Sequence, residues 1–221
     1  MERVNLDPGE YATRRKAGQA LRAARRGAVG RNEGAPTPEE FRYVPEFLAR
    51  SEHEVLLDRL RALHFDHDVF RGQRLKRGWA QFGYQYLSIG RRLVEAPPLS
   101  PFLARLVETG STLCPDHVEP FNQCIATHYP MGSGIGWHTD ATRFGDVIMG
   151  ISLGAPGRMQ FRVGRSSRAC CEIVLAPGSL YAMHGPARWQ YQHRVVSVTQ
   201  DRWSLTFRQV SPRSASASGN V

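Results

Sequence analysis

The second half of the chain is a succession of short strand-like runs separated by turns. Each run is rich in β-branched, aromatic and other apolar residues, and Gly or Pro stands between one run and the next. The runs are Cys124–Tyr129, Asp146–Leu153, Arg158–Val163, Cys171–Leu175, Ser179–Met183, Gln192–Val198 and Arg202–Val210. Many short strands at regular spacing favour two antiparallel sheets packed face to face. We therefore predict a jelly-roll (double-stranded β-helix) core over about residues 121–210.

The residues before this core predict supporting helices. Apolar residues recur at helical spacing within Glu52–Leu63 and again from Pro101 to Val107. Phe41–Phe47 has the pattern of a short strand and turn, and the aromatic stretch Trp79–Tyr86 is strand-like. The expected fold class is α+β and mainly β, as one domain over residues 38–211, with residues 70–95 as a lid over the core.

Both ends of the chain differ in composition from this domain. Residues 1–37 are basic and contain few large apolar groups, and residues 212–221 are rich in Ser and Ala, so we predict a disordered tail at each end. The chain has a formal net charge of +9, which attracts polyanions. The basic tail is either a solvated segment or an arm that binds nucleic acid, and the sequence leaves both open.

The cysteines and the apolar runs indicate the compartment. Cys114, Cys124, Cys170 and Cys171 form no C-x-x-C pair, and the adjacent Cys170 and Cys171 are expected on opposite faces of a strand. No apolar run approaches the ~20 residues that span a bilayer, and no secretory signal is visible. We expect reduced thiols in a monomeric cytoplasmic protein without a membrane segment.

A histidine and an aspartate two positions apart form a candidate metal site. Because side chains two residues apart in an extended segment point the same way, His138 and Asp140 could bind one ion. His193, in another predicted strand, could supply a third ligand. Two histidines and one carboxylate on one side of an ion suit non-haem Fe(II). The two histidines also fit ordinary structural roles, with Asp140 capping a surface turn.

The last predicted strand has two chemically distinct faces. Trp203, Leu205 and Phe207 alternate with a polar set, which is Arg202, Ser204, Thr206 and Arg208. The polar face is either solvated or lines the interior and holds an anionic ligand. Arginine suits the second role because its planar guanidinium meets a carboxylate with two hydrogen bonds and stays charged.

Together these motifs resemble the AlkB family of Fe(II)/2-oxoglutarate-dependent dioxygenases. The resemblance covers about residues 77–210 and includes H-x-D, a distant histidine, and R-x5-R within the strand that contains Ser204–Arg208. It also includes Thr127–Gly132 before the metal motif, Ile151–Gly154 after it, and Pro177–Leu180. The fixed order of these motifs is far more specific than any one of them.

The resemblance implies the metal ligands. His138, Asp140 and His193 would bind Fe(II), leaving positions for 2-oxoglutarate and O2. His184 competes with His193 as the third ligand. The distance from Pro177–Leu180 favours His193, because His184 falls where the predicted hairpin turns.

The resemblance also implies the co-substrate residues. Arg202 would pair with the distal carboxylate of 2-oxoglutarate, and Arg208 would lie near its iron-chelating end. Tyr129 would add a hydroxyl group. Thr127 stands where the family often has Asn and can still offer a hydrogen bond, and Ser204 lies between the two arginines.

The implied reaction is oxidative demethylation or dealkylation of bases in DNA or RNA, in DNA repair or RNA demethylation, with release of succinate, CO2 and an aldehyde. A base must be single-stranded or flipped out to reach a buried iron, and aromatic stacking would hold it there. Trp79, Tyr84 and Tyr86 are the candidate stacking residues, whereas Phe82 is expected in the core. A same-fold oxygenase acting on a protein or small molecule is the alternative, since the iron and co-substrate residues would be identical.

Overall fold

The computed structural model describes residues 37–87, 92–114, 120–165 and 168–210. The helices in these ranges are α1 (Arg50–Arg61), α2 (Pro101–Ser111) and α3 (Gly185–Trp189). The strands are β1 (Phe41–Val44), β2 (Asp66–Phe70), β3 (Gln73–Phe82), β4 (Tyr84–Leu87), β5 (Arg92–Glu95), β6 (Gln123–Tyr129), β7 (Ile135–His138), β8 (Phe144–Gly154), β9 (Gly157–Val163), β10 (Cys171–Leu175), β11 (Leu180–Met183), β12 (Tyr191–Val195) and β13 (Arg202–Val210). Apart from Thr37, the two predicted tails lie outside the described residues.

Two antiparallel sheets form the body of the domain. The larger has the strand order β1-β11-β8-β13-β6-β3-β2, and the smaller has the order β10-β9-β12-β7. Their inner faces share one apolar cluster, in which Ile148 and Tyr181 of the large sheet pack with Phe161 and Ile173 of the small one. This confirms the predicted mainly-β jelly roll.

Helices α1 and α2 cover the other face of the large sheet. Leu56 and Leu60 of α1 and Leu106 of α2 are buried in one cluster with the sheet residues Ile151 and Phe207. Burying an apolar side chain of this size contributes about 1.5–3 kcal/mol. Because the helices seal this face, the inner face of the same sheet is left to line a space between the two sheets.

Several predicted elements differ from those observed. The aromatic run at residues 79–86 is two strands, because Gly83 turns the chain between β3 and β4 with a φ of +75°. A Cβ at this position would come within 1.9 Å of the carbonyl oxygen of Asn122, so only glycine fits. The segment before it contains strand β2, for which no element is predicted from the sequence.

The adjacent cysteines are placed differently from the prediction. Their sulfur atoms are 3.6 Å apart rather than on opposite faces, because Cys170 lies in a bend and β10 begins only at Cys171. Both are free thiols, as are Cys114 and Cys124. Within the described ranges no helix is both long and apolar enough to cross a membrane.

Candidate active site

A cavity of about 540 Å³ lies between the two sheets, and the polar face of β13 forms part of its wall. The side chains of Arg202, Ser204, Thr206 and Arg208 line this space. The alternating residues Trp203, Leu205 and Phe207 are buried in the cluster beneath the helices. Of the two readings of this strand, the structure therefore shows the inward-facing one.

Neighbouring strands extend this polar wall in register. Tyr129 of β6 lies opposite Arg202, and Thr127 lies opposite Ser204. Trp79 of β3 in turn lies opposite Thr127, and all of these side chains reach the cavity. The row from Ser204 to Trp79 leads from the centre of the large sheet towards its edge.

The three candidate metal ligands converge on the facing wall. His193 of β12 lies opposite His138 of β7, and their ring centroids are 4.3 Å apart. Asp140 lies beyond the end of β7, in the loop that leads to β8, with its Oδ2 3.7 Å from Nε2 of His193. All three side chains line the cavity.

Both imidazoles are held in the neutral form. Nδ1 of His138 is 2.9 Å from the carbonyl oxygen of Gly136. Since a carbonyl only accepts, Nδ1 carries the proton and Nε2 keeps its lone pair. Burial above all, which disfavours the charged imidazolium, lowers the pKa of His193 to about 3. Burial also lowers the pKa of His138. A neutral imidazole is the form that binds a metal ion.

Asp140 is held as a carboxylate. Burial alone would raise its pKa, but the nearby cations, above all the guanidinium of Arg208, hold it well below its usual range. Nη2 of Arg208 donates a hydrogen bond of 2.6 Å to Oδ1 of Asp140. The guanidinium also lies over the ring of Phe144, 4.4 Å from its centroid.

The donor set fits Fe(II) by residue type and proximity. Two neutral imidazoles and one ionised carboxylate are the ligands that leave positions free on a non-haem iron. Within the ranges the structure describes, no group of three or more His, Cys, Asp or Glu side chains is already arranged as a formed metal site. Oδ1 of Asp140 accepts a hydrogen bond from Arg208, while Oδ2 faces His193.

Arg202 fits a carboxylate ligand. It is 1% exposed, and its Nε donates to Oγ of Ser152 at 3.2 Å. Its Nη1 is buried with no hydrogen-bond partner among the described residues. Its guanidinium carbon lies 5.1 Å from the ring centroid of Tyr129. Gly157 allows this placement, since a Cβ there would come within 2.4 Å of Nε.

The mouth of the cavity carries aromatic and charged side chains from β2, β3 and β4. Nε1 of Trp79 donates to one oxygen of Asp68 at 3.1 Å, and Arg77 donates to the other at 3.2 Å. Tyr86 also lines the cavity, and its backbone N–H donates to Oε1 of Gln81. Trp79 and Tyr86 are both half-buried, so each offers a ring at the entrance.

Two sequence candidates lie elsewhere. Tyr84 packs against the apolar cluster that contains Leu93 and is absent from the cavity lining, although Tyr86 of the same strand is part of it. His184 is likewise absent from the lining. It precedes α3, and its Nδ1 is 3.5 Å from Oε2 of Glu40.

Sequence reasoning missed two buried residues at the site. Tyr181 of β11 lines the cavity, and burial raises its pKa to about 12, so it presents a neutral hydroxyl. Hydropathy alternation does not identify it, because all four residues of Leu180–Met183 are apolar or aromatic and all are buried. Arg188 of α3 is 3% exposed and donates to the backbone carbonyls of Asp140 and Ala141. No sequence signal identifies it, because arginine is ordinarily exposed.

Comparison with known proteins decides the family. Residues 40–213 match the 2OG-Fe(II) oxygenase superfamily. This chain belongs to that superfamily. The oxygenase is accordingly a dioxygenase that uses Fe(II), 2-oxoglutarate and O2.

Individual relatives are AlkB-like. The oxygenase is 35% identical over 60 residues to the mitochondrial alpha-ketoglutarate-dependent dioxygenase alkB homolog 7 of Mus musculus, and equally to that of Bos taurus. Each match spans 27% of this chain and 27% of the relative. The solved structure of OsALKBH1 superimposes with a TM-score of 0.66 at 14% identity, over 79% of this chain and 98% of that one. That likeness shows a common fold.

Proposed function

We propose that this oxygenase removes alkyl groups from bases in nucleic acid by oxidation, in DNA repair or RNA demethylation. The observation that carries the proposal is a single cavity with candidate iron and co-substrate residues inside and aromatic rings at its mouth. Similarity to proteins named as alkB homologues supports it. Succinate, CO2 and an aldehyde would be released.

In this proposal the facing histidines and the loop aspartate hold the metal. His138, Asp140 and His193 bind Fe(II) through Nε2, a carboxylate oxygen and Nε2. Bound Fe(II) supplies, with 2-oxoglutarate and O2, the oxidation of the alkyl carbon, and the chain supplies its ligands and geometry. The hydrogen bond from His138 to Gly136 fixes the ring that faces the ion.

The co-substrate occupies the polar wall of the large sheet. Arg202 pairs with the distal carboxylate of 2-oxoglutarate through its buried Nη1, which has no other acceptor among the described residues. Tyr129, Thr127 and Ser204, in register beside it, offer hydroxyl groups. Arg208 lies against Asp140 and so near the end of the co-substrate that meets the metal.

The substrate base enters at the mouth, single-stranded or flipped out of a duplex, and stacks on Trp79 or Tyr86. The hydrogen bond from Trp79 to Asp68 holds the indole in place for this contact. The β2–β3 hairpin beside the mouth carries Arg71 and Arg74, whose guanidinium groups are exposed and suit phosphates.

The test is a panel of methylated single- and double-stranded DNA and RNA oligonucleotides, incubated with the Fe(II)-loaded enzyme and 2-oxoglutarate. Loss of the methyl mass with formaldehyde release in at least one substrate is the expected result. Unmethylated oligonucleotides are the control. No demethylation and no salt-dependent oligonucleotide binding, despite conversion of 2-oxoglutarate to succinate, would instead favour a protein or small-molecule substrate.

We also propose that the enzyme acts as a cytoplasmic monomer. Its four cysteines are free thiols, as expected in a reducing compartment. Sedimentation at micromolar concentration tests the oligomeric state, and a single species of about 25 kDa is the expected result. Localisation of a fluorescent fusion tests the compartment.

A further inference from the structure

Asp140 is not positioned by a strand. β7 ends at His138, so the alternation that directs His138 into the cavity no longer acts two residues later. The segment from Thr139 to Arg143 lacks sheet hydrogen bonds, yet the Asp140 side chain is only 4% exposed. Another group must therefore fix the backbone that carries this carboxylate.

The side chain of Arg188 meets this segment along its length. Its Nη1 donates to the carbonyl oxygen of Asp140 at 3.2 Å, and its Nη2 donates to that of Ala141 at 2.9 Å. A longer contact of 3.4 Å joins Nη2 to the carbonyl oxygen of Phe144, where β8 begins. One planar group thus ties both ends of the loop.

Arg188 is itself held rigidly. It lies on α3, whose Ala187 N–H donates to the carbonyl oxygen of Glu39 at 3.1 Å. Its guanidinium carbon is 4.1 Å from the ring centroid of Trp189. A guanidinium group stacked on this ring presents its donors in one geometry, which a lysine could not reproduce with a single ammonium group.

We propose that Arg188 is a positioning residue for metal binding, which holds the Asp140 loop so that the carboxylate faces the two histidines. The inference rests on the proposed role of Asp140 as an iron ligand. Arg188 touches the carbonyl groups of the loop and leaves the carboxylate oxygens to Arg208 and the metal. Partners of this kind typically change metal affinity by about 10- to 100-fold.

A charge effect would act in the opposite direction. A guanidinium near a divalent cation repels it, so removing the charge of Arg188 would by itself tighten metal binding. Arg188→Lys separates the charge effect from the positioning effect, because it keeps the positive charge and loses the planar guanidinium group. Arg188→Met removes both.

The experiment measures Co(II) binding to the full-length, metal-free protein, by titration of the visible absorption of the bound ion. We expect Arg188→Lys and Arg188→Met each to weaken Co(II) binding by about 10-fold or more. The Lys variant should also show a changed Co(II) spectrum. The 2-oxoglutarate affinity of the fully loaded variants should stay within about twofold of the parent, since Arg202 is untouched.

Leu56→Ala is the control for simple destabilisation. Leu56 is buried in α1 on the helix-covered face of the large sheet, so its loss lowers the melting temperature without touching the cavity. We expect its Co(II) affinity and spectrum to match those of the parent protein.

Three results would contradict the inference. These are unchanged Co(II) affinity in Arg188→Lys, tighter binding in Arg188→Met, and an equal loss of affinity in Leu56→Ala. If the parent protein binds no divalent ion at all, the assignment of the iron ligands fails as well. Tight binding in the parent with no effect of Arg188 overturns this inference alone.

Discussion

The inner end and the mouth of the cavity are built in different ways. The inner end is carried by β13 and β6 at the centre of the large sheet, and Arg202, Ser204 and Thr127 are 1%, 5% and 7% exposed. The mouth is formed at the edge of that sheet by β2 and β3, and by the separate β4–β5 pair. The Asp68 side chain that holds Trp79 is 48% exposed. Strands paired on both sides hold their side chains in one arrangement, whereas strands at the edge of a sheet allow the positions of their side chains to vary.

The largest expected effect tests the metal ligands on the wall that faces β13 and β6. His193→Ala should abolish succinate formation, because a ligand is lost and, among the described residues, His138 is the one other histidine that lines the cavity. His184→Ala is the matched control, since this histidine lies outside the cavity and its loss should leave turnover near that of the parent. Mass-spectrometric measurement of succinate compares them, and the reverse ranking would make His184 the third ligand.

A second prediction concerns the anionic ligand of the inner end. Arg202→Met should raise the 2-oxoglutarate concentration needed for half-maximal rate by roughly 10- to 100-fold, because hydrogen bonds to charged groups contribute about 1.5–3 kcal/mol. Arg158→Met, on the exposed side of β9, is the control. An unchanged requirement in Arg202→Met would remove the carboxylate assignment.

The mouth should respond more weakly and in another parameter. Trp79→Ala should weaken oligonucleotide binding by roughly 10-fold, because stacking on a base contributes about 1–3 kcal/mol. The 2-oxoglutarate requirement should not change. Tyr84→Ala provides the comparison, since Tyr84 is absent from the cavity lining. Fluorescence anisotropy with a labelled single strand measures both, and equal losses would mean that stacking at Trp79 is not involved.

The smallest effect concerns the support of the inner end from behind. Nε2 of His53 accepts a hydrogen bond from the N–H of Gly154, which lies opposite Arg202 in the sheet. Burial lowers the pKa of His53. As the pH falls, His53 therefore gains a proton near pH 6.5 in the unfolded chain and only at a lower pH in the folded protein. The free energy of unfolding consequently falls as the pH drops below about 6.5.

His53→Gln should remove this part of the pH dependence, because an amide oxygen accepts the same hydrogen bond without titrating. Thermal unfolding between pH 7 and 5 measures it. Identical slopes for the parent and His53→Gln would show that His53 does not contribute.

The sequence predicts the inner end better than the mouth, for a physical reason. Period-two alternation over Arg202–Arg208 is enough to separate an apolar face from a polar face, because successive side chains of a strand point to opposite sides. That the polar face lines the cavity was implied by the family resemblance. The same alternation predicted that the side chains of His138 and Asp140 point to the same side, but only His138 lies in the strand. The loop residue depends on Arg208 and on the buried Arg188, contacts between residues distant in sequence that no local pattern reveals.

At the mouth, local pattern misleads. Trp79 and Tyr84 stand in one aromatic run, yet Gly83 separates them into two strands with different partners. The strand that holds Asp68 has the sequence DHDVF, in which the two apolar residues are adjacent rather than alternating and both are exposed. Such edge elements take their conformation from the partner they pair with.

Strand β13 is hydrogen-bonded along its length to β6 and β8. One of its faces packs in the apolar cluster beneath the helices, and the other lines the cavity. A single inserted or deleted residue within it would exchange the two faces beyond that point. Indole and phenyl rings would then enter the cavity, and guanidinium groups would enter the apolar cluster beneath the helices. We therefore expect insertions and deletions to be tolerated only in the hairpins around the rim. A scaffold of this kind can acquire new targets by altering its rim while its oxidising centre stays unchanged.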